Sequence, residues 1–198
     1  LKAHSRSEQS KKNKMLNRKE GHATAEMGID EPTRLLLYKL INNGMIQSIN
    51  GVIATGKESV VLHAEGDSSF EEKLIPPECA IKVFKTTLNE FKTRDKYIKD
   101  DYRFKDRFHK LNPRKVIHMW AEKEMHNLMR MQKIGLNCPE VLYLKKHILV
   151  LSFIGKDNRA ALKLKEVSLS DSQWILIYDE IVEAMNKLYK EANLIHAD

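Results

Sequence analysis

The sequence predicts an α+β fold: a five-stranded antiparallel sheet with one helix inserted before the fourth strand, and a long helix after the fifth. Three observations predict it. β-rich runs at 45–54, 59–64 and 78–85 follow one another through short connections, which reads as an antiparallel meander. A helical stretch opens at Asn112-Pro113, stops at Gly135, and separates that meander from a second pair of runs, 141–145 and 147–153, folded around Lys145-Lys146. Trp174, Ile175, Tyr178, Ile181, Val182, Met185, Leu188 and Tyr189 then recur at helical spacing, behind Ser170 and Gln173 at capping-box spacing.

Each element has a local reason. Residues 1–28 are rich in Lys, Ser, Asn and Glu without periodicity and read as a basic mobile tail. Asp30 is placed as an N-cap with Pro32 in the first turn, and Leu35, Leu36, Leu37, Leu40 and Ile41 share a helical face that Gly44 closes. This helix, within 29–44, needs a surface to lean on. Residues 65–77 are an acidic, Pro-containing loop, 86–112 a charged segment too long for an ordinary connection, and 155–165 a loop. This order of helices and strands is the pattern of a protein-kinase N-lobe spanning 45–155. Residues 156–198 then carry the start of a helical C-lobe.

The 198 residues allow one domain with an appendage, and 42% apolar content suffices for a core. No run of 18 apolar residues occurs, and the basic first residues lack the apolar stretch of a signal peptide. Cys79 and Cys138 each sit in apolar surroundings, which predicts two buried free thiols in a reducing compartment. The net charge of +7 is concentrated: residues 1–20 hold seven Lys/Arg against two acids, and 85–115 hold eleven against five. Such segments suit a phosphate backbone, but also suit a solvated surface.

Five stretches carry chemistry. GVIATGKES (51–59) nearly spells a Walker A loop, but Glu58 stands where its magnesium-binding hydroxyl belongs, and the β-branched run after it is a poor helix start. The loop therefore joins strand to strand. Its backbone amides can cover phosphates, or it can be a plain hairpin turn. In CAIKVF (79–84), alternation puts Ala80, Lys82 and Phe84 on one face, where a lysine either snorkels or meets an acid. Ile117, Ala121, Glu124, Leu128 and Met131 form one seam of the inserted helix with a carboxylate at its middle. Glu124 is therefore the expected partner of Lys82. Glu122 is the rival, placed by His118 and His126 on a wetter face. HILVLSFIG (147–155) is an apolar strand that, on leaving the sheet, can offer backbone groups to an adenine edge or simply end in a turn. His196-Ala197-Asp198 follows the last helix where a catalytic loop belongs, although any His-x-Asp triplet is cheap.

Together ATGKESV (54–60), AIKVFKT (80–86), RDKY (94–97), NPRK (112–115), WAEKEMHNL (120–128), LVLSFIG (149–155) and HAD (196–198) resemble the RIO family of atypical serine/threonine protein kinases. The resemblance covers roughly 45–198 and is most like the third, animal subfamily. It implies that Ile53, Ala54, Thr55, Gly56, Lys57, Glu58, Ser59, Val60 and Val61 cover the phosphates of ATP. Lys82 would bind ATP with Glu124 positioning it, Ser152 and Ile154 would meet adenine through their backbones, and Asp198 would be the catalytic aspartate. It further implies Mg2+ as cofactor, a flexible basic loop at 86–112, a cytoplasmic protein without membrane contact, and the pre-40S ribosomal particle as partner. The chain ends at Asp198, so the family's metal ligands are expected beyond it, and turnover by these 198 residues alone is expected to be negligible. The competing expectation is a catalytically inactive RNA- or ribosome-binding or signalling adaptor on a kinase scaffold, acting through its basic segments. A P-loop NTPase is counted out by Glu58.

Overall fold

The computed structural model describes residues 29–67, 75–86, 101–104 and 112–196. The expected tail, most of the basic 86–112 segment and Asp198 lie outside the described residues.

Helix α1 (Glu31–Asn42) begins at Asp30, whose carboxylate accepts from the Thr33 N–H at 3.0 Å. It ends before Gly44, whose positive φ of 68° makes the sharp exit. Strands β1 (Ile46–Thr55), β2 (Ser59–Gly66) and β3 (Glu78–Phe84) form the predicted meander. Helix α2 (Pro113–Lys133) starts on the Asn112 cap. Strands β4 (Val141–Lys145) and β5 (Ile148–Ser152) follow, with Lys146 at φ 57° making their turn. The sheet is antiparallel throughout, ordered β1-β2-β3-β5-β4, so β3 lies at its centre.

The two faces of the sheet bury different partners. Val60, Leu62, Ala64, Ile81, Val83, Ile148 and Val150 point toward α1, where Leu37 and Leu40 close a core. Ala80, Phe84, Leu149 and Leu151 point the other way, against Ile117 and Ala121 of α2. The period-2 alternation of β3 thus sets Lys82 on the α2 side. The surface that α1 needed is the sheet itself.

Two expectations are corrected. Residues 155–165 are not simply a loop: β6 (Gly155–Lys156) and β7 (Arg159–Ala160) make a small hairpin. Its turn residues Asp157 and Asn158 sit at φ 52° and 61°, the left-handed region these short polar side chains tolerate. Cys138 is only half-buried, because it lies in the irregular segment after α2; Cys79 is fully buried, and both thiols are free. Burial pushes the Cys79 thiol up to about 11, which keeps it inert. Helix α3 (Asp171–Lys190) has the predicted Ser170/Gln173 capping box. Its apolar stripe is mostly exposed, from Trp174 to Tyr189, with only Leu188 buried.

Candidate functional site: a lysine–glutamate pair beneath a glycine loop

The turn between β1 and β2 is closed by the Gly56 N–H donating to the Ser59 carbonyl at 2.9 Å. Strand pairing runs to its base, with Ala54 opposite Val61 and Thr55 opposite Val60. The loop thus joins strand to strand, as Glu58 and the β-branched residues after it predict. Thr55, Gly56 and Lys57 are exposed, and Ile53 and Val61 line the α2 side of the sheet. Val60 departs from the expected set. Its side chain is fully buried in the opposite core against the α1 side, so only its backbone can belong to the loop. The Gly56 N–H is committed to the turn itself.

Lys85, just past β3, ties this loop to the sheet. Its Nζ donates to the Gly56 carbonyl at 2.7 Å, and its N–H donates to the Glu58 carbonyl at 2.8 Å. Sequence reasoning passed over Lys85 because it is one of many lysines in a basic stretch. The strand register that brings Ser59 opposite Phe84 is what places it.

Three residues before Lys85, Lys82 meets Glu124. The Lys82 Nζ donates to both carboxylate oxygens at 2.7 Å. Lys82 also lies 5.2 Å from the centre of the Phe84 ring, on the same face of β3. The side chains are 24% and 30% exposed, so the pair opens toward solvent rather than being sealed in the core. An ammonium has three donors. Glu124 takes two, which leaves one for a ligand oxygen.

Wetness does not separate Glu124 from Glu122, because the Glu122 side chain is 29% exposed. Direction separates them. Glu122 faces His126 one turn along the helix, whereas Glu124 faces β3.

At the exit of β5, the Ser152 N–H donates to the Glu140 carbonyl at 2.9 Å, and the Ile154 carbonyl accepts from the Ala161 N–H at 3.0 Å. Between them, Phe153 sets its ring edge-on to His63, with centroids 4.7 Å apart. His63 is buried and bonds Glu78 at 3.0 Å, and the Glu78 carboxylate also accepts from the Asn158 N–H in the β6–β7 turn at 2.8 Å. That N–H, with help from His63, holds the Glu78 carboxyl below its usual range. The connection leaving the sheet is therefore fastened back onto it. No sequence signal pointed to this latch, because its members lie 15 and 80 residues apart.

Among the described residues, no group of three or more His, Cys, Asp or Glu is placed to hold a metal ion, and no helix is long and apolar enough to cross a membrane. His196 is exposed, at the end of the described residues.

The family model for the RIO domain matches residues 60–198. The chain belongs to the RIO domain family. It is 60% identical over its whole length to the serine/threonine-protein kinase RIO3 of Mus musculus, covering 39% of that protein. It is 47% identical to RIO3 of Caenorhabditis elegans, with 94% of this chain and 35% of that one covered. To human RIO1 it is 43% identical, with 91% and 30% covered. The higher identity to the RIO3 relatives agrees with the subfamily resemblance of the motifs. The chain spans 39% of the length of the mouse relative. Among solved structures, the Rio2 kinase–ADP/Mg2+–phosphoaspartate complex from Chaetomium thermophilum matches with a TM-score of 0.53 at 21% identity, over 78% of this chain and 40% of that one. This likeness establishes the shared kinase-like α+β fold.

Proposed function

We propose that this RIO chain forms the nucleotide-binding part of an ATP-dependent serine/threonine protein kinase, or of an ATPase switch using the same site. The observation that carries the reading is the Lys82–Glu124 pair, held at 2.7 Å through both carboxylate oxygens beneath the Gly56 loop. A lysine so fixed has a defined direction for its remaining N–H, and a phosphate oxygen of ATP is the acceptor that suits it. The loop amides beside Gly56, at Lys57 and Glu58, would cover the phosphates. Ile53, Val61, Ala80 and Leu151 would offer the adenine ring an apolar floor. With the Ser152 N–H and the Ile154 carbonyl already used within the chain, the Ser152 carbonyl and the Ile154 N–H are the groups proposed for the purine edge. Asp198 would accept the proton of the attacking hydroxyl as its oxygen bonds to the γ-phosphorus and ADP departs. Mg2+ would neutralise the phosphate charge when bound, held by ligands outside the described residues.

By the same family reasoning, the protein is proposed to act in the cytoplasm on the pre-40S ribosomal particle. The eleven Lys/Arg of residues 85–115 support contact with RNA there. They equally support the second reading, an inactive RNA-binding adaptor on this scaffold.

Calorimetric titration with MgADP separates the two. Lys82→Ala removes a charge-assisted bond and should weaken binding roughly 10- to 100-fold. Nucleotide affinity indifferent to Lys82, beside salt-dependent RNA binding lost on neutralising Lys/Arg in 92–115, would leave the adaptor.

A further inference from the structure

Asp30 lies before the stretch matched by the family model, yet its one carboxylate touches three separate segments of the chain. Oδ1 serves the helix start, accepting from the Thr33 N–H at 3.0 Å and from the Thr33 hydroxyl. Oδ2 serves the site's two supports. It accepts from the Thr86 hydroxyl at 2.8 Å and from the Arg114 guanidinium. Thr86 is four residues past Lys82, at the exit of β3. Arg114 is in the first turn of α2, ten residues and nearly three turns before Glu124. Thr86 and Arg114 lie 28 positions apart in the chain.

We propose that Asp30 is a positioning residue for the nucleotide site: it ties the strand bearing Lys82 to the helix bearing Glu124, and so couples the N-terminal helix to the geometry of the phosphate-binding pair. The proposal rests on the nucleotide-binding reading of that pair. Arg114 and Thr86 are the two ends of the tie. Ile117 and Ala121 pack α2 on the sheet, but apolar packing tolerates small slides that a two-oxygen contact to one ammonium does not.

The division of work between the two oxygens supplies the test. Asp30→Asn keeps an Oδ1 acceptor for the α1 cap, since Asn caps as well as Asp. It replaces Oδ2 with an NH2 that faces the Arg114 guanidinium, a donor with no acceptor, so the tie to α2 is broken and the cap is not. MgADP and adenosine binding would be measured by calorimetry on the protein at full length, for wild type, Asp30→Asn, Arg114→Gln, the double variant, Arg114→Lys and Lys82→Ala. Asp30→Asn and Arg114→Gln should each weaken MgADP roughly three- to tenfold, the double variant no more than either, with adenosine unaffected and Arg114→Lys largely restored. MgADP affinity unchanged in Asp30→Asn would overturn the proposal, as would additive losses or a parallel fall in adenosine binding, which would mean general loosening. If Lys82→Ala itself leaves MgADP binding intact, the reading of the pair as a phosphate site fails, and the coupling proposed to it fails with it.

Discussion

His147 should make this protein lose stability in mildly acidic solution, well before its carboxylates protonate. The ring is 2% exposed, at the turn between β4 and β5. Its Nε2 lies 2.7 Å from the Thr33 hydroxyl, which donates onward to Asp30, so Nε2 carries the proton and Thr33 accepts it. Nδ1 has no hydrogen-bond partner, and the face of the ring stacks on His118 at 5.6 Å. Protonating Nδ1 would bury a cation with an N–H and nothing to receive it. Burial pushes the group down from 6.5 to about 4; His118, Arg114 and Lys146 act in the same direction, and only Asp30 opposes them. Above pH 6.5 neither the folded nor the unfolded chain binds the proton, and stability is full. Between 6.5 and about 4 the unfolded chain binds it and the folded chain does not, so stability falls by about 1.4 kcal/mol per pH unit and by about 3 kcal/mol over the window. His118, also held low chiefly by burial, adds to the slope in the same direction. Asp101 does not, because Arg103 holds it at about 2 and its contribution is lost only as pH falls below its ordinary value of 3.8. Urea unfolding at half-unit steps from pH 4.5 to 7.5 measures the slope. His147→Gln, which can still donate to Thr33, should start from lower stability but run flatter by close to one proton. Parallel profiles for the two proteins would show that His147 titrates in the fold as it does in water, and the burial argument would be wrong.

Three further outcomes follow from the geometry. Glu124→Gln should cost about 1 kcal/mol or less in urea unfolding, because both partners of the pair are partly solvated, yet weaken MgADP clearly; a large stability loss with unchanged affinity would make the pair structural. Gly155→Ala would place a Cβ 2.2 Å from the Arg159 carbonyl and 2.7 Å from the Phe153 ring, so it should cost about 1–3 kcal/mol and raise hydrogen exchange in 153–161; wild-type exchange there would contradict the packing. Ile81→Ala, in the middle of the central strand and fully buried, should lower stability by about 2–5 kcal/mol in the same unfolding assay, and a loss below 1 kcal/mol would mean the α1-side core is loosely packed.

The Gly56 turn, the Lys82 strand, the Glu124 seam and the Ser170 cap were legible because each is a short-range pattern. Alternation of period two places Lys82 on the face opposite Ile81 and Val83, and helical period places Glu124 on the line of Ile117 and Ala121. The Asp157-Asn158 turn was legible too, in two residues suited to positive φ, but it was passed over inside a polar stretch. The depth of Cys138 and the choice between Glu122 and Glu124 were less secure, since an apolar neighbourhood in the sequence does not say whether a segment ends up under a helix or beside one.

By itself the sequence determined the five strands of the main sheet and the three helices, which face of each is apolar, and the family to which the chain belongs. Only the tertiary structure decided what those faces meet: that Lys85 holds the Gly56 loop, that Glu78 fastens the exit of β5, and that Asp30 joins Thr86 to Arg114. These contacts bridge residues 27 to 84 positions apart, except the Glu78–His63 bond at 15. Local periodicity carries no information over such separations. Register and the packing of α1 and α2 on opposite sides of one sheet create them.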